Sequence, residues 1–446
     1  MKQAEANQLS EQKEQKQVSV ARRGYILGLL TFIWAVSFLD RNVLSIVLDP
    51  VKKEFGLSDT MLGAMVGFGF ALVYLVLSIP VARYVDRKPR TPIIVAGLAL
   101  WSVLTALGGL AQNAWQMLVF RMGVGVGEAS STSPSISLIG DYFPKDKRPI
   151  AMSIFNMAPT VGLYMGFMIG GLAAHYYGWR VAFFFAGIPG IIAAILLRFT
   201  VKEPIRGLSD GPRVDVKFYS MGETLRYFGT NKTFLLVMGG AIMAAYTNFS
   251  LITWNPSFFR RVHHLNMAQI GLYVGTVTAL AGIIGAIVCG TVTTALGKRD
   301  DRWKTATPGI ACVIAGPLLL LECLPDSVPL ALLGVASGFF LCGASVGLQL
   351  AIVQTVVKVR MRAFAASLHF MASNLFGMAL APLIIGILND AFSPRYGVQA
   401  VRYSMLTVVP ASILAGLCLI YGARFIRGDI KTALEEGTEG KPTSSG

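Results

Sequence analysis

Hydrophobic positions run through this chain in long, nearly unbroken stretches, each closed by a short polar cluster. A helix needs about 20 apolar residues to cross a hydrocarbon core about 30 Å thick. The pattern predicts twelve such spans, at 24–48, 61–85, 92–112, 115–140, 148–175, 179–200, 232–258, 267–296, 304–323, 328–357, 361–389 and 402–425. The stretches are too long and too continuously apolar for barrel strands, and backbone polar groups in lipid must be satisfied within the segment. The expected fold class is therefore an all-α membrane protein.

The longest polar interval between spans divides the twelve six and six. The expected organisation is an N-terminal tail at 1–23, a six-helix bundle at 24–200, a linker at 201–231, a second six-helix bundle at 232–425 and a C-terminal tail at 426–446. Within the linker, "SMGETLRYFGTNK" reads as a short amphipathic helix at the membrane surface with Leu225, Tyr227 and Phe228 toward lipid.

The halves echo each other. "KRPIAMSIFNMA" at 147–158 returns 214 positions later as "MRAFAASLHFMA", with the arginine, an alanine, the serine and the closing Met-Ala in register. "DPVKKEFGLSDTMLGAMVG" from residue 49 answers "NPSFFRRVHHLNMAQIGLYVG" from residue 255, aligning Leu57 with Leu265, Gly63 with Gly271 and Gly67 with Gly275. Two pseudo-symmetric halves of this kind build many secondary transporters, whose substrate site lies near the midplane between them.

Composition supports the membrane reading: 54% of the 446 residues are hydrophobic and 14% charged, against about 25% charged in a soluble domain. The mean hydropathy is +0.59. A net charge of +15 raises the question of nucleic acid, but no basic cluster is interleaved with stacking aromatics. With both termini cytoplasmic, most Lys and Arg fall in cytoplasmic segments, so the basic balance is a topology signal. "MKQAEANQLSEQKEQKQVSV" has no apolar core, and no cleaved signal is expected. The five cysteines lie in or beside apolar spans without metal-ligand spacing, and no metal is expected.

The chemistry-bearing residues are the charges inside the apolar runs. "VSFLDRNVLS" sets Asp40 and Arg41 within the first span, and "VFRMGVGVGEASSTSPS" sets Arg121 and Glu128 in the fourth. A charge at a helix centre costs on the order of 2.5–3.5 kcal/mol, which makes each a functional candidate by default. At 1.5 Å per residue, Asp40 lies about 13 Å from the outer end of its span, Arg121 about 9 Å and Glu128 about 20 Å, so their depths interleave. Burial disfavours an ionised carboxylate and a nearby guanidinium favours it, so relative movement of the two changes proton affinity. Asp40, Arg41, Arg121 and Glu128 are accordingly the expected proton-coupling set, with Asp40 the main protonation site and Arg41 and Arg121 its alternating partners. The coupling ion is expected to be the proton, with sodium left open, and no cofactor is expected.

Arg41, Arg121 and Glu128 are also candidate substrate contacts, since a guanidinium matches a carboxylate or phosphate. The other candidates are the interior polar and aromatic residues Thr132, Ser133, Asn156, Thr247, Trp254, Asn255, His369 and Asn374. His369 in the eleventh span is also a candidate second proton site, although packing is the favoured reading of a lone histidine. Gly123, Gly125 and Gly127 read as a flat face for close helix approach, not as a nucleotide fingerprint, because no strand precedes them. Neither paired catalytic groups nor a metal-binding histidine pair is present, which argues against an intramembrane enzyme, and no nucleotide-binding domain accompanies the spans.

These features resemble the major facilitator superfamily. "ARYVDRKPR" at 82–90 is similar to its signature between the second and third helices, with Ala82 and Pro89 where the pattern prefers glycine. The resemblance implies a gating role for Asp86, Arg87 and Arg90. In the second half Gly290 occupies the glycine position but Thr294 replaces the acid. "RMGVGVGEA" resembles the family's proton-linked motif and places Arg121 in it. More narrowly, "FLDRNVLSIVLDPVKKEFGLSD", "MGVGVGEASSTSPSISLIGDYFP" and "GWRVAFFFAGIPG" resemble the spinster group, which implies export of a lysolipid or sphingosine-phosphate-like amphipath. The implied setting is the inner membrane of a bacterium, with the bilayer and an amphipathic substrate as partners and a monomer as the expected state. A broad efflux pump or organic-anion carrier of the same superfamily is the alternative.

Overall fold

The computed structural model describes residues 19–85, 88–144, 146–204, 221–358 and 361–435. Every regular element among them is helical. Ten helical runs are long and apolar enough to cross a membrane. One of them, Phe364–Gly422, carries the eleventh and twelfth expected spans together. The fourth expected span falls short of the length because it is divided, Ala114–Glu128 and then Thr132–Tyr142, with a turn at 129–131. Twelve crossings account for these runs.

Helix starts follow local chemistry. Ser58 accepts a hydrogen bond from the Met61 amide, and Asn266, 208 positions on, accepts one from the Gln269 amide within a full capping box. Such caps satisfy amides that the first turn would otherwise leave without a partner. The repeat is therefore structural: Arg148 and Arg362, 214 positions apart, each open a helix as well. Gly56, at φ 64°, ends the short helix Leu48–Phe55 in a left-handed conformation that a side chain would disfavour, which lets the chain turn into the second span.

By contacts the chain forms two compact units. The first comprises the described residues of 1–44 and 72–215; the second comprises those of 45–71 and 216–446. In the first unit the fourth span lies directly on the third, where a Cβ at Gly127 would stand 2.8 Å from the Gly97 carbonyl oxygen and one at Gly123 would stand 2.5 Å from Leu104 Cδ1. Small residues here substitute for a hydrophobic driving force that lipid cannot supply. In the second unit Gly309 and Gly416 meet in the same way across the ninth and twelfth spans.

The linker helix Met221–Thr230 does not lie with all three apolar residues toward lipid. Leu225 is exposed, but Phe228 is buried at 3%, stacked on Phe234 at 4.4 Å and on Phe364 at 5.9 Å. The Tyr227 hydroxyl donates to the Val356 carbonyl, and Asn231 Nδ2 donates to the same oxygen. The helix is thus stapled onto the second unit. The π-helical turns Ala64–Phe68, Gly338–Gly343 and Ser373–Leu380 interrupt three further spans.

Candidate functional site

In the first unit the first span, Val20–Ile46, carries Asp40 and Arg41, and Ala114–Glu128 carries Arg121 and Glu128. Neighbouring residues on a helix point about 100° apart, so the Asp-Arg dipeptide faces two directions. Arg41 meets Glu128: its Nη2 lies 2.5 Å and its Nε 2.7 Å from Glu128 Oε2. Ser37, one turn earlier on the same span, donates to that oxygen at 2.9 Å. Asp40 meets Arg121, with Nη1 at 3.4 Å from Oδ1 and 3.3 Å from the Asp40 carbonyl oxygen. Thr105 of the third span donates its hydroxyl to Asp40 Oδ2.

All four side chains are withdrawn from solvent, Asp40 and Glu128 at 1%, Arg121 at 3% and Arg41 at 15%. Two crossed ion pairs therefore share one buried locus, each joining the first span to the fourth. Glu128 is the last residue of its helix. A carboxylate at a helix C-terminus opposes the helix dipole, typically by about 0.3–1 kcal/mol, and the Arg41 cation offsets that. Glu128 Oε1 is buried with no hydrogen-bond partner among the described residues. Arg41 also lies over two aromatic rings, 4.9 Å from the Phe38 centroid and 5.3 Å from that of Tyr74. Its charge is held by a carboxylate and two π faces while its edge stays partly open.

The remaining candidates spread over both units. In the first, Thr132 is half-buried and Ser133 exposed just past the turn that follows Glu128, and Asn156 is exposed at the break between Arg148–Phe155 and Ala158–Tyr177. In the second, Thr247 is fully buried and donates to the Met243 carbonyl at 3.1 Å, while Trp254 donates its indole N–H to the Pro382 carbonyl at 3.0 Å. Both spend their polar atoms on neighbouring backbone. Asn255 and His369 are buried at 1% each, with both Asn255 amide atoms and His369 Nδ1 lacking a partner among the described residues. Asn374 is half-buried on a π-helical turn.

Of the expected gating residues, Asp86 and Arg87 lie outside the described residues. Arg90 is the first residue of the third span, Arg90–Gly108, and is buried at 1%. It pairs with Asp141 and with Glu203 at 2.8 Å and donates to Ser137 at 2.8 Å. Glu203 also accepts from the Thr91 amide at 2.7 Å and the Thr91 hydroxyl at 2.8 Å, so it caps the third span. Burial pushes the Glu203 carboxyl upward, but the Thr91 amide and the Arg90 guanidinium outweigh it and hold it below the ordinary carboxylate range. In the second half Thr294 turns its hydroxyl onto the Gly290 carbonyl of its own helix at 2.8 Å.

Several partners carry no signal of their own in the sequence. Thr105 is a single hydroxyl in an apolar helix, and Asp141 and Glu203 resemble ordinary charges at span ends. Ser37 had a signal in retrospect, standing four residues before Arg41 and so on its face.

Comparison with known proteins decides the family: residues 30–375 match the Major Facilitator Superfamily. The chain belongs to that superfamily. It is 28% identical over 410 residues to an MFS-type efflux pump of Mycolicibacterium smegmatis, covering 91% of this chain and 94% of that one. It is 28% identical over 439 residues to protein spinster homolog 3 of Danio rerio, covering 92% and 87%. Among solved structures it is similar to a bacterial homolog of the human lysosomal transporter Spinster, crystallised inward-facing and unoccupied, with TM-score 0.79, 28% identity and coverage of 94% and 99%. The chain is thus a multi-pass membrane transporter of this superfamily, similar to the spinster group, and its relatives are transporters rather than enzymes.

Proposed function

We propose that this transporter is a proton-coupled secondary carrier that moves an amphipathic anion, a lysolipid or sphingosine-phosphate-like lipid, by alternating access. The observation that carries the reading is the pair of crossed ion pairs, Asp40 with Arg121 and Arg41 with Glu128, buried in one unit. A buried pair is costly to break by removing one charge, about 3–5 kcal/mol, but protonating the acid while an anion engages the freed guanidinium keeps every charge matched. Asp40 takes the proton and Arg121 is its counter-charge. Arg41, the most open of the four, engages the anionic head, and Glu128, with one oxygen uncommitted, is the second proton carrier or a substrate contact. Within the first unit Thr132, Ser133 and Asn156 are the further polar candidates, the second unit offers its own in Thr247, Trp254, Asn255, His369 and Asn374, and no cofactor is invoked.

An apolar groove of about 360 Å³ in the second unit, walled by Phe376, Leu380, Ile384 and Leu414, suits a hydrocarbon tail. The distribution of Lys and Arg supports a bacterial inner-membrane orientation with both termini cytoplasmic, and Asp86, Arg87 and Arg90 gate the cytoplasmic end. A monomer suffices for this mechanism. The relationship to an efflux pump supports a second reading, broad export of hydrophobic or anionic compounds through the same charge set.

The test is uptake of labelled lysophospholipid and sphingosine phosphate into liposomes carrying wild type or Asp40→Asn, with and without an imposed pH gradient. A gradient response in wild type that Asp40→Asn abolishes supports the reading. Lysolipid transport indifferent to pH removes the proton, and absence of lysolipid transport alongside export of unrelated anions favours the second reading.

A further inference from the structure

The second unit takes in residues 45–71, which the sequence repeat counts with the first half. The contact is at backbone level. A Cβ at Gly63 would stand 2.3 Å from the Pro382 carbonyl oxygen, one at Gly67 would stand 2.6 Å from that of Ala379, and one at Gly386 would stand 2.3 Å from that of Asp59. The start of the second span and the eleventh thus touch without intervening side chains over this stretch.

Charges lock the same place. Arg261, the last residue of the seventh span Lys232–Arg261, reaches two acids at once. Its Nη2 lies 2.6 Å from Asp49 Oδ1, its Nε 2.9 Å from the same oxygen, and its Nη1 2.5 Å from Asp59 Oδ2. Lys52 adds a second cation to Asp59 at 2.5 Å, Arg260 stands 3.8 Å from Asp49, and Ser257 donates to Asp49 at 3.3 Å. From the eleventh span, Asp390 accepts from the Asp59 amide at 3.0 Å, the Thr60 amide at 2.8 Å and the Thr60 hydroxyl at 2.7 Å. A carboxylate there satisfies amides at the start of the second span and complements its dipole. The Arg261 and Asp49 side chains are 14% exposed and Asp59 is 3% exposed, so the network is largely dehydrated and little screened by salt.

We propose that Arg261 and Asp390 form a latch that holds the outer end of the transport path shut by gripping residues 49–60. This deepens the alternating-access reading and rests on its orientation, which puts this end outside. For that end to open, residues 45–71 must come away from the seventh and eleventh spans, and the Arg261 fork and the Asp390 cap are the directional bonds that must break. The latch uses charge and backbone donors where the expected gate at the other end uses Arg90, so the two ends can be weakened separately.

The experiment reads accessibility from outside and needs no substrate. Ser250 is buried at 0% and lies seven residues before Ser257, hence two turns deeper on the face that meets Asp49. Ser250→Cys is labelled with a membrane-impermeant maleimide added to the outside of intact cells, with the five native cysteines as the blank. In the otherwise wild-type chain labelling stays near the blank. Arg261→Gln and, more mildly, Asp390→Asn raise its rate tenfold or more, with Arg261→Lys between. Unfolding would expose the buried Cys312 and Cys342 as well, so the same variants without Ser250→Cys must stay at the blank and elute as a single species. Unchanged labelling of Ser250→Cys in well-folded Arg261→Gln and Asp390→Asn overturns the latch. If labelling rises while wild type moves no lysolipid, the latch stands and the substrate reading fails; if wild type transports but labelling does not rise, the latch alone fails.

Discussion

Arg41 sets its guanidinium 2.5 Å from the carboxylate of Glu128, 87 residues away, and not on Asp40 beside it. The dipeptide therefore works as a divider. Its acid goes to Arg121 and Thr105, and its base goes to the end of the helix broken after Glu128. The two pairs differ in closeness, 2.5 Å against 3.4 Å, and the Arg121 group on the looser pair also leans on the Asp40 carbonyl oxygen. A pair with a longer separation and a second acceptor at hand loses less when its acid takes a proton. The closer contact thus lies on Arg41 and Glu128, and the looser one on Asp40 and Arg121.

Asp40→Asn and Arg121→Gln each leave a buried charge without its counterpart and are expected to cost about 3–5 kcal/mol of stability. The double variant removes both charges and should lose less than the sum, with a coupling of at least about 1 kcal/mol. Thermal melting of the four proteins in one detergent measures it. Strict additivity would mean that the 3.4 Å approach carries no energetic pairing.

Glu203 makes stability depend on pH at the start of the third span. Its carboxyl is held below the ordinary range, so it contributes fully above the unfolded value of about 4.3 and the contribution is lost as pH falls through and below that value. Glu203→Gln keeps an acceptor for the Thr91 amide but loses the charge beside Arg90. The variant should melt below wild type at pH 7, by the equivalent of about 1 kcal/mol for a weakened cap. The gap should narrow as the pH falls below the unfolded value of about 4.3 and through the lower folded one. A gap independent of pH would assign the loss to packing.

The spans were legible because lipid leaves a chain few choices, and the four charges because a charge among hydrocarbon is conspicuous. The repeat was legible too, down to Ser58 and Asn266 capping equivalent helices. Which acid meets which base was not, since that depends on the rotation of the first and fourth spans about their axes. The break at 129–131 had a sign in the four consecutive hydroxyls from Ser130 to Ser133, whose side chains compete for backbone groups. Reading the segment as one apolar run hid it. Thr247 and Trp254 look like cavity residues in sequence, yet their polar atoms go to carbonyl oxygens of Met243 and Pro382. Phe228 reads as lipid-facing by helical position, but the core it enters joins nearby Phe234 to residues more than a hundred positions away, such as Val356 and Phe364.

Gly162 controls the seat of the first span. A Cβ there would stand 2.1 Å from the Ala35 carbonyl oxygen and 2.7 Å from Phe38 Cβ, both within a turn or two of Asp40. Gly162→Val must push the first span away from the fifth, at an overpacking cost of about 1–3 kcal/mol. Because the Asp40 and Arg41 pairs depend on where that span sits, transport should fall more than tenfold even where the protein still purifies as a single folded species. Liposome flux per folded transporter is the measurement. Full activity would show that the charge set tolerates displacement of its own helix.

The linker helix offers a contrast within ten residues. Phe228 is 3% exposed and stacked between Phe234 and Phe364, whereas Leu225 is 50% exposed on the same helix. Truncating a buried phenylalanine removes its transfer energy and leaves a void, together about 3–5 kcal/mol. Truncating the exposed leucine should change stability by about 0.5 kcal/mol or less. Phe228→Ala should therefore lower the melting temperature of the detergent-solubilised protein by several degrees, and Leu225→Ala should leave it nearly unchanged. Equal effects would return the helix to a membrane surface, with both side chains in the same medium. The predicted inequality instead makes the helix part of the second unit's packing, where Tyr227 and Asn231 both hold the Val356 carbonyl at the end of the tenth span.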